Sequence, residues 1–180
     1  IPEYSLSIRN GIVPKELSSG AIEFHDDDSY EEAIKLYCDD PDNSIILAYT
    51  NSTIKDINSE IQKRLNPDSQ QMTYESDDGF WYGPDFRLND PVIFDTNNYD
   101  AGYQSGSLGV LINVTQNKTD GTVGTVRLTD TNEEVNVTQI VLSHLMLGYA
   151  ITLRKAPGSQ FKNVITYLDK GPMVDRSWLY

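Results

Sequence analysis

Cysteine is almost missing from this chain: Cys38 stands alone among 180 residues. An intrachain disulfide framework is therefore impossible, as is a multi-cysteine zinc or iron–sulfur site. Cys38 itself ends an amphipathic stretch and reads as a small buried hydrophobe, not a nucleophile. Histidine is nearly as scarce, with His25 and His144 far apart and neither in a ligand motif. Both read as surface or boundary side chains. Positive charge is also short: 14 Lys and Arg against 27 Asp and Glu leave a net −13. That balance opposes a free-standing nucleic-acid binder, because phosphate contacts need clustered cations. No apolar run approaches the ~20 residues of a membrane-spanning helix, so no membrane partner is expected. There is no Gly-x-x-x-x-Gly-Lys-[Ser/Thr] phosphate loop, no Gly-x-Ser-x-Gly elbow and no other complete catalytic constellation. No catalytic residue and no metal site are assigned; the acidic triplet Asp26-Asp27-Asp28 is accounted for by helix capping and solvation. The chain opens on Ile1-Pro2-Glu3 with no basic and apolar leader. The expectation is a piece of a longer, cytoplasmic protein.

What is present is ordered in three blocks. Tyr4 to Arg9 reads as helical and is closed by Asn10-Gly11, and Ala21 to Phe24 as a short strand. Ser29 and Glu32 have capping-box spacing and open a helix to about Cys38. Ile45 to Tyr49 is a continuous apolar run, the pattern of a strand buried on both faces of a parallel sheet. Thr50-Asn51-Ser52 then caps a helix whose Ile54, Ile57, Ile61 and Leu65 share one face. Residues 66–85 lose all periodicity and read as a connector with a short strand near Phe80-Trp81-Tyr82. Short β-patterns follow at Val92 to Phe94, Leu108 to Thr115, Thr122 to Thr129 and Val135 to Leu142, with turn chemistry between the last three. Their spacing suggests a small antiparallel barrel, with Val110, Ile112 and Val114 facing inward on one strand and Val126 and Leu128 on the next. Leu145 to Ile151 reads as a short buried helix and Asn163 to Leu168 as a final strand. The order α/β, then β, then α/β predicts one α/β domain from 1–65 and 146–180, with a β-module inserted at 86–145.

Two turns could hold a ligand. At Thr50-Asn51 a hydroxyl, an amide and the N–H groups of a helix start converge, which suits a phosphate; a plain helix cap is the other reading. The second turn runs from Ala150 to Phe161 within residues 151–180, which carry 5 basic and 2 acidic side chains and form the only net-basic part of the chain. It offers Thr152, Arg154, Lys155, Gly158, Ser159 and Gln160 just before a strand; a solvated loop is the bland alternative. Four Asn-x-[Ser/Thr] sequons, at Asn51, Asn113, Asn117 and Asn136, raise a third class, an exterior glycoprotein domain.

Ala150-Ile151-Thr152 through Gly158-Ser159-Gln160-Phe161 and Val164-Ile165 resembles motif V of the RecD-like superfamily 1 DNA helicases, the exodeoxyribonuclease V alpha-subunit type. Asp175 to Tyr180 is similar to the approach to their motif VI. Ile45 to Asn66, including Asn58, resembles their strand–Thr-Asn–helix segment. Asn89-Asp90-Pro91-Val92-Ile93 and Gly106 to Val110 are similar to the opening of an inserted SH3-like domain, and Leu6 to Gly11 to the segment after motif III.

The resemblance implies an incomplete RecA-like parallel-sheet domain, P-loop NTPase-like but lacking the P-loop, with an inserted SH3-like barrel: motor domain 2A with domain 2B. It implies a parent that uses ATP and Mg²⁺ to translocate on and unwind DNA, in repair or recombination. The partners implied are single-stranded DNA, the missing first motor domain and, in some relatives, subunits of a nuclease complex. By position, Thr50, Asn51, Thr152, Arg154 and Lys155 would contact DNA, and Gly158, Ser159 and Gln160 would face the nucleotide. The Asn97-to-Gly109 loop would line the DNA channel. Arg154, Pro157 and Gln160 stand where the motif usually has His, Gln and Glu; Pro157 removes both a side-chain amide and a backbone donor. The fragment alone is expected not to hydrolyse ATP. The competing reading is a stand-alone, non-enzymatic SH3-like binding module on an α/β platform.

Overall fold

The computed structural model describes residues 6–7, 9–12, 29–156 and 161–168. The strand expected at Ala21 to Phe24, His25, and the motif residues Pro157, Gly158, Ser159 and Gln160 lie outside them, as does everything after 168. Leu6, Ser7 and Arg9 are helical, and the helix stops as Asn10-Gly11 predicts: Gly11 has φ +72° and Ile12 N–H reaches back to the Ser7 carbonyl at 2.9 Å.

Helix α1 spans Ser29–Asp39. Strand β1, Ser44–Ala48, is buried at every position, as its unbroken apolar run requires. Helix α2, Asn51–Leu65, buries Ile54, Ile57 and Ile61 while Leu65 stays exposed at its last position. These helices cover one face of β1 with a core that includes Ile34, Tyr37, Ile46, Ala48 and Tyr149.

The connector contains a two-stranded ribbon, β2 (Tyr74–Glu75) against β3 (Trp81–Tyr82). Next come β4 (Pro91–Phe94), β5 (Leu108–Asn113), β6 (Thr122–Leu128) and β7 (Glu134–Thr138). The β-pattern expected up to Leu142 ends early, because the Thr138 hydroxyl accepts the Val141 N–H and caps α3, Gln139–Leu142.

The helix expected over Leu145 to Ile151 is instead two strands, β8 (Leu145–Leu147) and β9 (Ala150–Thr152), claimed by different sheets. β8 pairs antiparallel with β4, and β9 pairs parallel with β1. Gly148 makes the handover: a Cβ there would stand 3.1 Å from the Val92 backbone, so glycine lets the chain pass near β4 without crowding it. Tertiary pairing thus overrides an apolar run whose local pattern is ambiguous. β10, Asn163–Thr166, completes a parallel sheet in the order β10-β1-β9.

The antiparallel strands form one sheet in the order β7-β6-β5-β4-β8. Among the described residues β7 and β8 do not pair, so this sheet is open where a closed barrel was expected. β8 is only three residues long before the chain leaves for the other sheet, and β7 gives way to α3. The inward face of β5 also differs from expectation. Leu111 is buried while Val110 is exposed and Ile112 half-buried; a bulge between Leu111 and Asn113 then turns Val114 inward. With Val110, Leu111 and Ile112 all apolar, alternation alone could not choose the face. On β6, Val126 and Leu128 are buried as expected.

The two sheets share a seam. Ile45, Leu47 and Ile151 pack against Ile93 of β4, with Leu108 and Met146 beside them, so the antiparallel sheet covers the face of β1 that the helices leave open. The fold is mixed α/β, with a parallel sheet carrying an antiparallel sheet as an insertion. No helix among the described residues is long and apolar enough to cross a membrane.

Candidate functional site

Parallel strands end on one edge, and ligands in open α/β sheets bind outside those carboxyl ends. β1 and β9 are neighbours in the register Ala48↔Thr152. Thr50 and Asn51, just past Ala48, and Thr152 therefore stand on the same edge. Thr50 caps α2: its hydroxyl accepts the Thr53 N–H at 3.0 Å and shares a hydrogen bond with the Thr53 hydroxyl at 2.8 Å. That occupies much of its capacity. The freer groups are the exposed Asn51 amide, the backbone N–H groups of Asn51 and Ser52 and the half-buried Thr152, since the Thr53 and Ile54 N–H groups are taken by Thr50.

A 3₁₀ turn, Leu153–Lys155, follows β9 directly. Arg154 is exposed there, whereas Lys155 is half-buried and its ammonium donates to Met146 Sδ of β8 at 2.8 Å. Of the two cations, Arg154 is the one turned to solvent. The loop between β4 and β5 reaches this turn from the other sheet. Gly106, at φ +92°, lies so near that a Cβ would stand 3.1 Å from the Lys155 carbonyl oxygen. The loop is internally braced: Phe94 stacks on Tyr103 at 4.0 Å, and the Ser105 N–H donates to Asn97 Oδ1. The Tyr103 hydroxyl lies 3.2 Å from His144 Nδ1, which gives that histidine a structural place at the sheet edge. Thr50, Asn51, Thr152, Arg154 and the β4–β5 loop are thus neighbours by topology. Gly158, Ser159 and Gln160 are not described, so the nucleotide-facing half of the expected site has no geometry here.

Behind this edge lies a buried polar lock that the sequence reading did not assemble. Asn58 of α2 accepts the Ala150 N–H at 2.7 Å and donates to the Ala150 and Leu147 carbonyls, both at 3.1 Å. It holds the crossover from β8 to β9. One helical turn on, Gln62 donates to Asp90, a fully buried carboxylate, at 2.6 Å. Asp90 also accepts from Asn66 Nδ2 at 2.7 Å, the Tyr149 hydroxyl at 2.8 Å and the Arg87 N–H at 2.7 Å. Four donors from three segments therefore meet on one carboxylate, tying α2, the start of β4 and the approach to β9 together. Burial, followed by the charge of Asp90, pushes the Tyr149 phenol above the usual tyrosine range; burial does the same to Tyr37. One sequence signal was available: Asn58 and Gln62 interrupt the apolar stripe of α2, where unpaired amides would be costly.

Burial raises the Cys38 thiol, which fits a packing role and not a reactive one. Among the described residues no three His, Cys, Asp or Glu side chains converge.

This architecture is a parallel sheet carrying an inserted antiparallel sheet. Among solved structures it resembles Pif1 helicases. The Bacteroides Pif1 helicase in complex with ADP-AlF3 and ssDNA is 16% identical, with a TM-score of 0.56 over 94% of this chain and 43% of that one. Bacteroides Pif1 bound to ssDNA is 15% identical, TM-score 0.51, over 94% and 42%. Pif1 helicase from Candida albicans is 14% identical, TM-score 0.52, over 92% and 46%. At such identities the likeness is one of fold, and this chain spans less than half the length of each. No protein-family model and no curated protein matches the sequence.

Proposed function

We propose that this chain is the second motor half, domain 2A with inserted domain 2B, of an ATP-dependent superfamily 1 DNA helicase. Its task is to grip single-stranded DNA while nucleotide turnover with the first motor domain drives movement along the strand. The observation that carries the reading is the register Ala48↔Thr152, which puts Thr50-Asn51 and Thr152-Arg154 on one sheet edge beside the β4–β5 loop. That edge offers amide and hydroxyl donors, helix N–H groups and one exposed cation to a phosphate backbone. Thr50 acts chiefly by presenting the helix start, Asn51 and Thr152 by direct contact, and Arg154 and Lys155 by charge. Gly158, Ser159 and Gln160 are proposed to face the ATP side. The domain limits are proposed as 1–65 with 146–180 for 2A, 66–85 for the connector and 86–145 for 2B, in a cytoplasmic parent. The neighbours in fold are Pif1 helicases, so the narrower RecD-like placement, and with it any part in an exodeoxyribonuclease V complex, rests on the motif residues 150–161.

Fluorescence anisotropy with a labelled oligothymidylate tests the grip. Binding should be weak and salt-sensitive, as expected for an acidic chain with one basic stretch, and weakened several-fold by Thr152→Ala and by Arg154→Ala. Equal affinity in both variants and the parent sequence would overturn the assignment of this edge.

A further inference from the structure

The ribbon β2–β3 carries an unexplained surface. Phe80, Trp81 and Tyr82 are consecutive and exposed by 66%, 68% and 50%. Among the described residues only Tyr82 has a ring partner, Tyr74, stacked at 5.5 Å across the two strands. Phe80, just before β3, and Trp81 within it belong to no buried cluster among the described residues; the ribbon is anchored by Tyr74, which packs on the core that includes Met72.

The two edges of the ribbon are not equivalent. The Glu75 N–H donates to Gln116 Oε1 at 2.9 Å, and Gln116 Nε2 donates to the Glu75 carbonyl at 2.8 Å, so the outer edge of β2 is closed. Both main-chain groups of Glu75 therefore point away from β3. In its antiparallel pair Glu75↔Trp81, the Trp81 N–H and carbonyl point away from β2 in the same way. β3 pairs with no other strand among the described residues. An extended segment laid along β3 would find this donor–acceptor pair, with Phe80 and Tyr82 toward one face and Trp81 toward the other.

Charge selects the occupant. Residues 66–86 hold five acids, Asp68, Glu75, Asp77, Asp78 and Asp85, and no Lys or Arg. The adjoining cations are engaged: the Arg87 guanidinium donates to the Asn66 and Pro67 carbonyls, and the Lys118 ammonium pairs with Glu75. A polyanion is repelled here, and a second copy of so acidic a chain brings the same acids face to face. Lysine and arginine are attracted both by the acids and by the exposed aromatic faces.

We propose that the outer edge of β3 is a docking site for an extended, Lys/Arg-rich segment of a partner protein, bound by strand addition at Trp81. This surface is separate from the DNA-gripping edge, and either reading can fail alone.

The probe is a short fluorescein-labelled peptide alternating Lys and Val, titrated into the 180-residue chain at moderate salt and followed by anisotropy. Trp81→Ala and the double variant Asp77→Asn/Asp78→Asn should each weaken binding about tenfold. Neutralising acids elsewhere, with Asp130→Asn/Glu133→Gln, should change it less than about twofold. Circular dichroism checks that each variant is folded; the exposed positions make this expected for both pairs. Four outcomes would overturn the proposal: equal binding by the Trp81 variant; equal weakening by the remote pair, meaning attraction by net charge alone; displacement of the peptide by an oligothymidylate; or self-association of the chain that Trp81→Ala abolishes. In the longer protein proposed above, loss of peptide binding would show that another part of the same chain occupies the edge, which also overturns it.

Discussion

Asp90 shows how a single side chain can hold two sheets in one orientation. Asp90→Ala strands the Gln62, Asn66 and Tyr149 donors and the Arg87 N–H in a dry interior, and should cost about 3 kcal/mol in urea unfolding. Asp90→Asn keeps the volume and one acceptor and should cost clearly less; equal losses would mean that packing and not hydrogen bonding dominates. The buried tyrosines make a separate prediction with a definite sign. Tyr149 and Tyr37 stay protonated in the folded chain at pH values where unfolded tyrosines ionise, above about pH 10. There the unfolded state holds fewer protons, so stability falls as pH rises through that range and is unaffected below it. Urea midpoints at about pH 8 and about pH 11 should separate, and Tyr37→Phe/Tyr149→Phe should narrow the gap. An unchanged gap would assign the alkaline loss to other groups.

At the level of elements, α2 does two jobs with different residues. Its first turn faces the candidate site, and its middle holds the β8–β9 crossover through Asn58. Thr50→Ala removes the cap and should cost about 1 kcal/mol, with Thr50→Ser restoring most of it. Asn58→Ala leaves two carbonyls and one N–H unpaired and should cost about 2–3 kcal/mol. Because Asn58 sits behind Thr152, its loss should also reduce oligothymidylate affinity, while Thr50→Ser should leave affinity unchanged. If Asn58→Ala destabilises without touching affinity, the crossover does not position Thr152.

For the whole molecule, the seam of Ile45, Leu47, Ile93 and Ile151 makes the inserted sheet part of the core that buries β1. The β4–β5 loop also meets the Arg154 turn at Gly106, which lies close to the Lys155 carbonyl. Gly106→Ala, at positive φ and against the Lys155 carbonyl, should disturb that turn; a fall in DNA affinity with little change in urea midpoint would reveal the link. The isolated chain should show no ATP turnover above background, since no phosphate loop occurs among its 180 residues. A coupled-enzyme assay showing turnover would contradict this.

Much of the architecture is legible in one dimension, wherever burial leaves a distinct period. The i, i+3, i+7 stripe of α2 and the Asn10-Gly11 stop each point to one local structure, and each is found. Where apolar residues are contiguous, the period vanishes and the partner decides. Leu145 to Ile151 forms two strands because two sheets offer pairing on either side of Gly148, and on β5 Leu111 is buried and Val110 exposed although both are apolar. The same limit applies to the site. Thr50, Asn51, Thr152, Arg154 and Lys155 can be picked out as residue types, but their common edge follows from the parallel alignment of β1 and β9 across a hundred residues of chain. Asp90 is legible only as part of a motif; its role exists once three distant donors, from Gln62, Asn66 and Tyr149, are folded onto it beside the local Arg87 N–H. Sequence determines what each segment can bury, and tertiary structure decides which buried groups meet, because pairing energy between distant segments has no local signature.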